Sequence, residues 1–74
     1  MKACNNYQMK KSAIMQMLVD DGRERDAKDP AVIKAYIADT ALYPATEKDL
    51  ADGWGIGAYE KNGQHYILDF KDQH

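Results

Sequence analysis

One cysteine, Cys4, is all the chain has, so no disulfide can close within it. A lone thiol suits a reducing compartment, and the expected location is cytoplasmic. Histidine is almost as scarce, with only His65 and His74. The usual hydrolases and transferases need a base held beside a nucleophile or a bound metal, and the sequence offers little for either role. Cys4, His65 and His74 lack the short ligand spacing of a zinc site. The acids between Asp20 and Asp29 lack the alternation and glycine placement of a calcium loop. The expectation is a chain with no catalytic centre, no metal and no cofactor.

Long apolar runs are also missing. Gln16 and Asp20 interrupt the segments around Ile14-Met15 and Met17-Leu18-Val19, so neither a signal peptide nor a membrane span is expected. Strong core formers are few: Leu, Ile, Val and Phe number twelve, and ten of the remaining apolar residues are alanines. At 74 residues and 8.4 kDa the whole chain, 1–74, reads as a single small domain. A domain of this size buries only about 60% of the surface its unfolded chain exposes. Its stability therefore leans on tyrosine, tryptophan and methionine side chains, or on self-association, which keeps a homodimer open.

Net charge is close to balanced, at −2, but unevenly laid out. Residues 1–19 hold Lys2, Lys10 and Lys11 and no acid, whereas seven bases face twelve acids in the remainder. Affinity for nucleic acid rests mainly on clustered Lys and Arg, so this layout counts against a nucleic-acid partner. A basic first helix retains the capacity to touch a phosphate. The alternating charges of residues 20–29 read as a solvated connector or helix face.

What the sequence does have is a hairpin signal. Two strand-like runs flank Asn62-Gly63, the residues a type I′ turn demands. The two-residue loop sets Lys61 opposite Gln64, Glu60 opposite His65, Tyr59 opposite Tyr66, Ala58 opposite Ile67, Gly57 opposite Leu68 and Gly55 opposite Phe70. One face then carries Tyr59, Tyr66, Leu68 and Phe70; the other carries Trp54, Ile56, Ala58 and Ile67. Neither face is wholly polar, so each needs some cover. Gly55 and Gly57 leave hollows for packing or for the close approach of another backbone.

Ahead of the hairpin the spacing predicts helices. The first starts near Asn5 or Asn6 and runs to about Asp21, ahead of Gly22. Tyr7, Ile14, Met17 and Leu18 give it helical periodicity, and Met9 and Met15 broaden the stripe as core filler. The second starts with Asp29 as N-cap and Pro30 at the first helical position, and runs to Asp39 or Leu42, with Ile33, Tyr36 and Ile37 on one face. Pro44 stops it. Thr46 caps a short turn through Glu47, Lys48 and Asp49, closed by Gly53, with Leu50 pointing inward. The expected fold is α+β: two N-terminal helices plus a short helical turn (helical 5–52) packed on a C-terminal antiparallel β-hairpin (54–70). No further strand is evident, so both hairpin edges stand open, with Lys61 and Lys71 to guard them.

Function follows from the surface. Tyr36, Tyr43, Trp54, Tyr59 and Tyr66 are more rings than so small a core hides, and about three are expected to be largely buried. The others, rimmed by Asp39, Glu47, Asp49, Asp52, Glu60 and Asp69, would make aromatic anchors in an acidic surround, complementary to a basic partner. The candidate partner-binding residues are Trp54, Tyr59, Tyr66, Tyr43, Asp49, Asp52 and Glu60. The expected role is a non-catalytic protein-binding module, a small adaptor or inhibitor docking on a larger, basic, nucleic-acid-handling protein, in the manner of accessory proteins of phages and mobile elements. The alternative is a small winged-helix-like DNA-binding regulator, in which only Lys34 of the second helix reaches a groove. A third, an enzyme, would have to centre on His65 beside Glu60 or Asp69. Gly53-Trp54-Gly55-Ile56-Gly57 has the look of a phosphate loop, but it precedes a strand and lacks a helix N-terminus.

Overall fold

Asn6 opens the first helix, its Oδ1 accepting from the Met9 backbone N–H at 3.1 Å, and α1 runs Tyr7–Asp20. The computed structural model describes residues 6–71; Cys4, Asn5 and His74, weighed above, lie outside the described residues. The end of α1 is closed by Gly22, whose N–H donates to the Val19 carbonyl at 3.0 Å while the Arg23 N–H donates to Leu18 at 2.8 Å. Met9, Ala13, Ile14, Met17 and Leu18 form one buried stripe of the helix, as their spacing requires.

Residues 20–29, expected to be a solvated connector or a helix face, are partly helical and not wholly solvated. They hold a short helix, α2 (Glu24–Ala27), whose last residue is buried in the core beside Ile33. Charge alternation hid this, because one buried alanine among exposed ions leaves no periodic trace. The next helix, α3 (Pro30–Asp39), starts as its sequence requires, the Asp29 carboxylate accepting from the Ala31 N–H at 2.9 Å.

The chain then departs from expectation. Thr40–Ala45 is a strand, β1, which the sequence reading did not contain. The remaining elements are α4 (Glu47–Ala51), β2 (Gly57–Lys61) and β3 (Gln64–Phe70), and the antiparallel sheet has the order β1-β3-β2. The domain is thus α+β, with three strands instead of the two of a bare hairpin. The β3 edge, expected to be open, is covered by β1. Thr40 pairs with Phe70, Leu42 with Leu68, and Pro44 with Tyr66. Residues 65, 67 and 69 of β3 turn their backbone groups towards β1, so Pro44, opposite residue 66, has its nitrogen on the free edge. That is the one place in a strand where the missing N–H is harmless.

Five of the six expected hairpin pairs form, from Lys61↔Gln64 to Gly57↔Leu68, around a turn with φ of 53° at Asn62 and 83° at Gly63. The sixth, Gly55↔Phe70, does not. Gly55 has φ +76°, and the Ile56 N–H donates at 2.8 Å to Leu68, the residue already paired with Gly57. Two residues facing one break the alternation, in the manner of a bulge. Ile56, assigned by alternation to the face of Ile67, accordingly packs against the main core.

That core lies between the helices and one face of the sheet. Ile14, Leu18, Leu42 and Leu68 are its most fully buried side chains, with Tyr59 and Tyr66 partly buried against it. Gly57 explains how closely α1 comes: a Cβ there would stand 3.1 Å from the Cβ of Met17. The hollow that the sequence offered a partner is therefore filled by the protein's own first helix. On the outer face, alternation places Tyr43, Ala58, Glu60, His65 and Ile67.

Candidate protein-interaction surface

Trp54 is held out by its neighbours. After the capping box of α4, in which Thr46 Oγ1 accepts from the Asp49 N–H at 3.2 Å and Asp49 Oδ2 accepts from the Thr46 N–H at 2.9 Å, the helix lasts only five residues. Gly53 and Gly55, both at φ +76°, then bracket Trp54 in a tight turn ahead of β2. At Gly55 no side chain fits, since a Cβ would lie 2.6 Å from the Leu68 carbonyl oxygen and collide with Ile67 Cγ2. The turn presses its backbone onto the sheet at Gly55. Trp54 itself remains 59% exposed, the most exposed large apolar side chain among the described residues.

The other candidate residues divide between the two sides of the sheet. Tyr59 and Tyr66 are cross-strand partners on the helix side, packed against the core and only partly accessible. Tyr43 and Glu60 stand on the outer face, opposite Ile67 and His65 respectively. Asp49 and Asp52 belong to α4 and its C-cap. Tyr59 and Tyr66 therefore do not share a face with Tyr43 and Glu60. Period-two alternation already dictates that separation, because adjacent residues 59 and 60 point to opposite faces.

Against the expectation that about three of the five rings are largely buried, four have most of their surface covered and one does not. Tyr36, Tyr43, Tyr59 and Tyr66 are each half-buried, and Trp54 is exposed. Tyr36 is used within the fold: its ring stacks on Phe70 at 6.3 Å between centroids, and its hydroxyl accepts from Arg23 Nη1 at 3.0 Å. That hydrogen bond, with a second to Asp26 at 2.8 Å, raises the Arg23 guanidinium above its ordinary pKa. Asp69, assigned above to the acidic rim, is buried, and its Oδ1 accepts from the Phe70 N–H at 2.8 Å. Asp39, Glu47, Asp52 and Glu60 are exposed and Asp49 half-exposed, with Asp39 at the far end of β1 from the acids of α4.

His65 faces Glu60 in the ladder as expected, but its charged neighbour is Glu47, with Nε2 4.0 Å from Oε1. Glu47 is highly exposed, and a contact of that length at the surface is weak. No group of three or more His, Cys, Asp or Glu side chains among the described residues could hold a metal ion. No helix among them is long and apolar enough to cross a membrane. The Gly53–Gly57 segment follows the C-terminal, electronegative end of α4, where backbone amides are not gathered for an anion.

Sequence reasoning missed a second surface. A groove of about 800 Å³ runs between α1 and α3, and Lys11, Lys28 and Lys34 are among the residues lining it. Its signal was present as the i, i+4, i+8 spacing of Tyr7, Lys11 and Met15, a stripe flanking the one α1 buries. Comparison with known proteins adds no relative to this geometry, since neither a family model, nor a curated protein, nor a solved structure matches the chain.

Proposed function

We propose that this chain is a non-catalytic protein-binding module, a small adaptor or inhibitor whose anchor is Trp54 and whose partner presents a basic surface. The observation that supports it is the exposure of Trp54 in a turn fixed by two left-handed glycines, beside the acids of α4. A large apolar ring exposed to water gains from burial at an interface, and its two side-chain torsions keep the entropy cost small. Asp52 and Glu47, both exposed, add the charge that favours cationic side chains and speeds encounter. A basic partner of this kind is a larger protein that handles nucleic acid, and the small size of the chain suits an accessory role of the sort phages and mobile elements encode.

The test is affinity capture from bacterial lysate with three baits: the wild type, Trp54→Ala and Asp52→Lys. Proteins retained by the wild type and lost from both variants should be enriched in basic, nucleic-acid-binding species. Equal recovery of every protein by all three baits would remove the reading.

A further inference from the structure

The groove between α1 and α3 holds about 800 Å³, and nothing in the proposed Trp54 surface uses it. Each wall is a helical stripe. Tyr7, Lys11 and Met15 recur every fourth residue on α1; Ile33, Lys34 and Ile37 recur on α3 at spacings of one and three. Ala27 and Lys28, at the corner between α2 and α3, close one end. The floor is apolar and continuous with the core through Ile33 and Ala27, both buried.

Two features distinguish this groove from an ordinary seam between packed helices. Its lip is apolar and wet: Tyr7 is 57% exposed and Met15 37%, so two of the four large hydrophobic side chains left exposed in the described structure line this one groove. A concentration of that kind marks an interaction site more often than chance exposure. Its charge also has one sign. Lys11, Lys28 and Lys34 line it with no carboxylate among the lining residues, in a chain whose net charge is −2, and no ion pair among the described residues engages any of the three. Lysines at both walls, with an apolar floor and an exposed apolar lip between them, are complementary to an acidic amphipathic surface.

We infer that the groove receives an amphipathic, acidic α-helix of a partner protein, laid between α1 and α3 with its apolar face on Ile33 and Met15 and its carboxylates on Lys11, Lys28 and Lys34. Lysines on both walls flanking an apolar floor match a helix whose apolar face is bordered by carboxylates. The apolar floor favours a peptide over nucleic acid, since phosphates would leave Ile33, Met15 and Tyr7 without a counterpart. The ten residues of α3 set the occupant's length at about 15 Å, or roughly ten to twelve residues. This surface carries the opposite charge preference to the Trp54 turn and does not depend on it.

The experiment is a selection from a display library of helix-stabilised peptides of about 14 residues, randomised at every exposed position, against the full chain and against a Lys11→Glu plus Lys34→Glu variant. Wild-type selections should enrich apolar residues at i, i+3, i+4 and i+7 flanked by Asp or Glu. The recovered peptides should shift the amide resonances of Tyr7, Met15, Ile33 and Ile37, and bind the charge-reversed variant at least about tenfold more weakly. The variant should select Lys- and Arg-flanked peptides instead, and its thermal melt should match the wild type, because both lysines are exposed. Peptides without an acidic bias, shifts confined to another face, or no helical binder at all would overturn the inference. So would duplex DNA or laurate perturbing the same resonances while no peptide does, or a concentration-dependent dimer that the charge reversal dissolves. Trp54→Ala should leave peptide binding unchanged, which separates failure here from failure of the Trp54 anchor.

Discussion

The ammonium of Lys10 donates a 2.7 Å hydrogen bond to the backbone carbonyl of Ile37, twenty-seven residues away. Lys10 is buried, because it stands three, four and seven residues ahead of Ala13, Ile14 and Met17 on the face that α1 turns to the core. Ile37 lies in the last turn of α3, where carbonyls lose their helical partners as the chain leaves for β1. A cation there satisfies an orphan acceptor and complements the negative end of the helix. The contact ties α1 to the end of α3 and so helps set the spacing of the groove between them.

Lys10→Ala should therefore lower stability by about 2 kcal/mol, combining a lost charge-assisted hydrogen bond with an unfilled space at the core edge. Lys11→Ala, one residue along and exposed, should change it by less than about 0.5 kcal/mol. Urea midpoints of the two variants check the contrast, and equal midpoints would mean that the Lys10 contact contributes nothing net.

The turn that presents Trp54 makes a second comparison. Gly53 and Gly55 share φ +76°, but a Cβ at 53 meets nothing within 4 Å whereas one at 55 strikes the Leu68 carbonyl and Ile67. Gly53→Ala should cost about 1 kcal/mol, the strain of a left-handed alanine alone. Gly55→Ala should cost upwards of about 3 kcal/mol, because the Ile56 to Leu68 hydrogen bond must also shift. Thermal melts of both variants measure the difference, and similar losses would refute the close approach at residue 55.

How far the fold can be read from sequence depends on where each element gets its stability. Asn6, Asp29 and Thr46 each announce a helix because the cap acts within three residues of itself. Asn62-Gly63 announces the hairpin and its register for the same reason. β1 carries no such local mark: its six residues become a strand only because β3, some twenty-five positions later, supplies the ladder, and Pro44 argues locally against it. The bulge at Ile56 likewise depends on Leu68, and so the face of Ile56 could not be read from alternation. Of the candidate site, an excess of rings over core volume implied that some ring stays exposed, but not that the ring is Trp54. The groove is a property of two helices meeting, and no single stretch of sequence contains it.

Because β1 is held by tertiary pairing, its central side chain should matter as much as any in the helices. Leu42 is fully buried opposite Leu68, and Leu42→Ala should destabilise by about 2–5 kcal/mol. The companion Tyr43→Ala, on the half-exposed outer face, should cost less than that. If denaturant unfolding ranked the two the other way, the placement of Leu42 in the main core would be wrong.

Trp54 is the only tryptophan, so intrinsic fluorescence reports on one side chain. With its ring largely in water, the native emission should already be red-shifted, change little on unfolding in urea, and be quenched by acrylamide almost as fully in the folded chain as in the unfolded one. Addition of a partner that buries the ring should move the emission to the blue and protect it from acrylamide, since both effects depend on removing water from the indole. A partner that docks only in the α1–α3 groove should leave the emission unchanged, because no groove residue belongs to the Trp54 turn. A blue-shifted, quencher-resistant tryptophan in the isolated chain would show that the ring is already covered, and the anchor assigned to it would be lost.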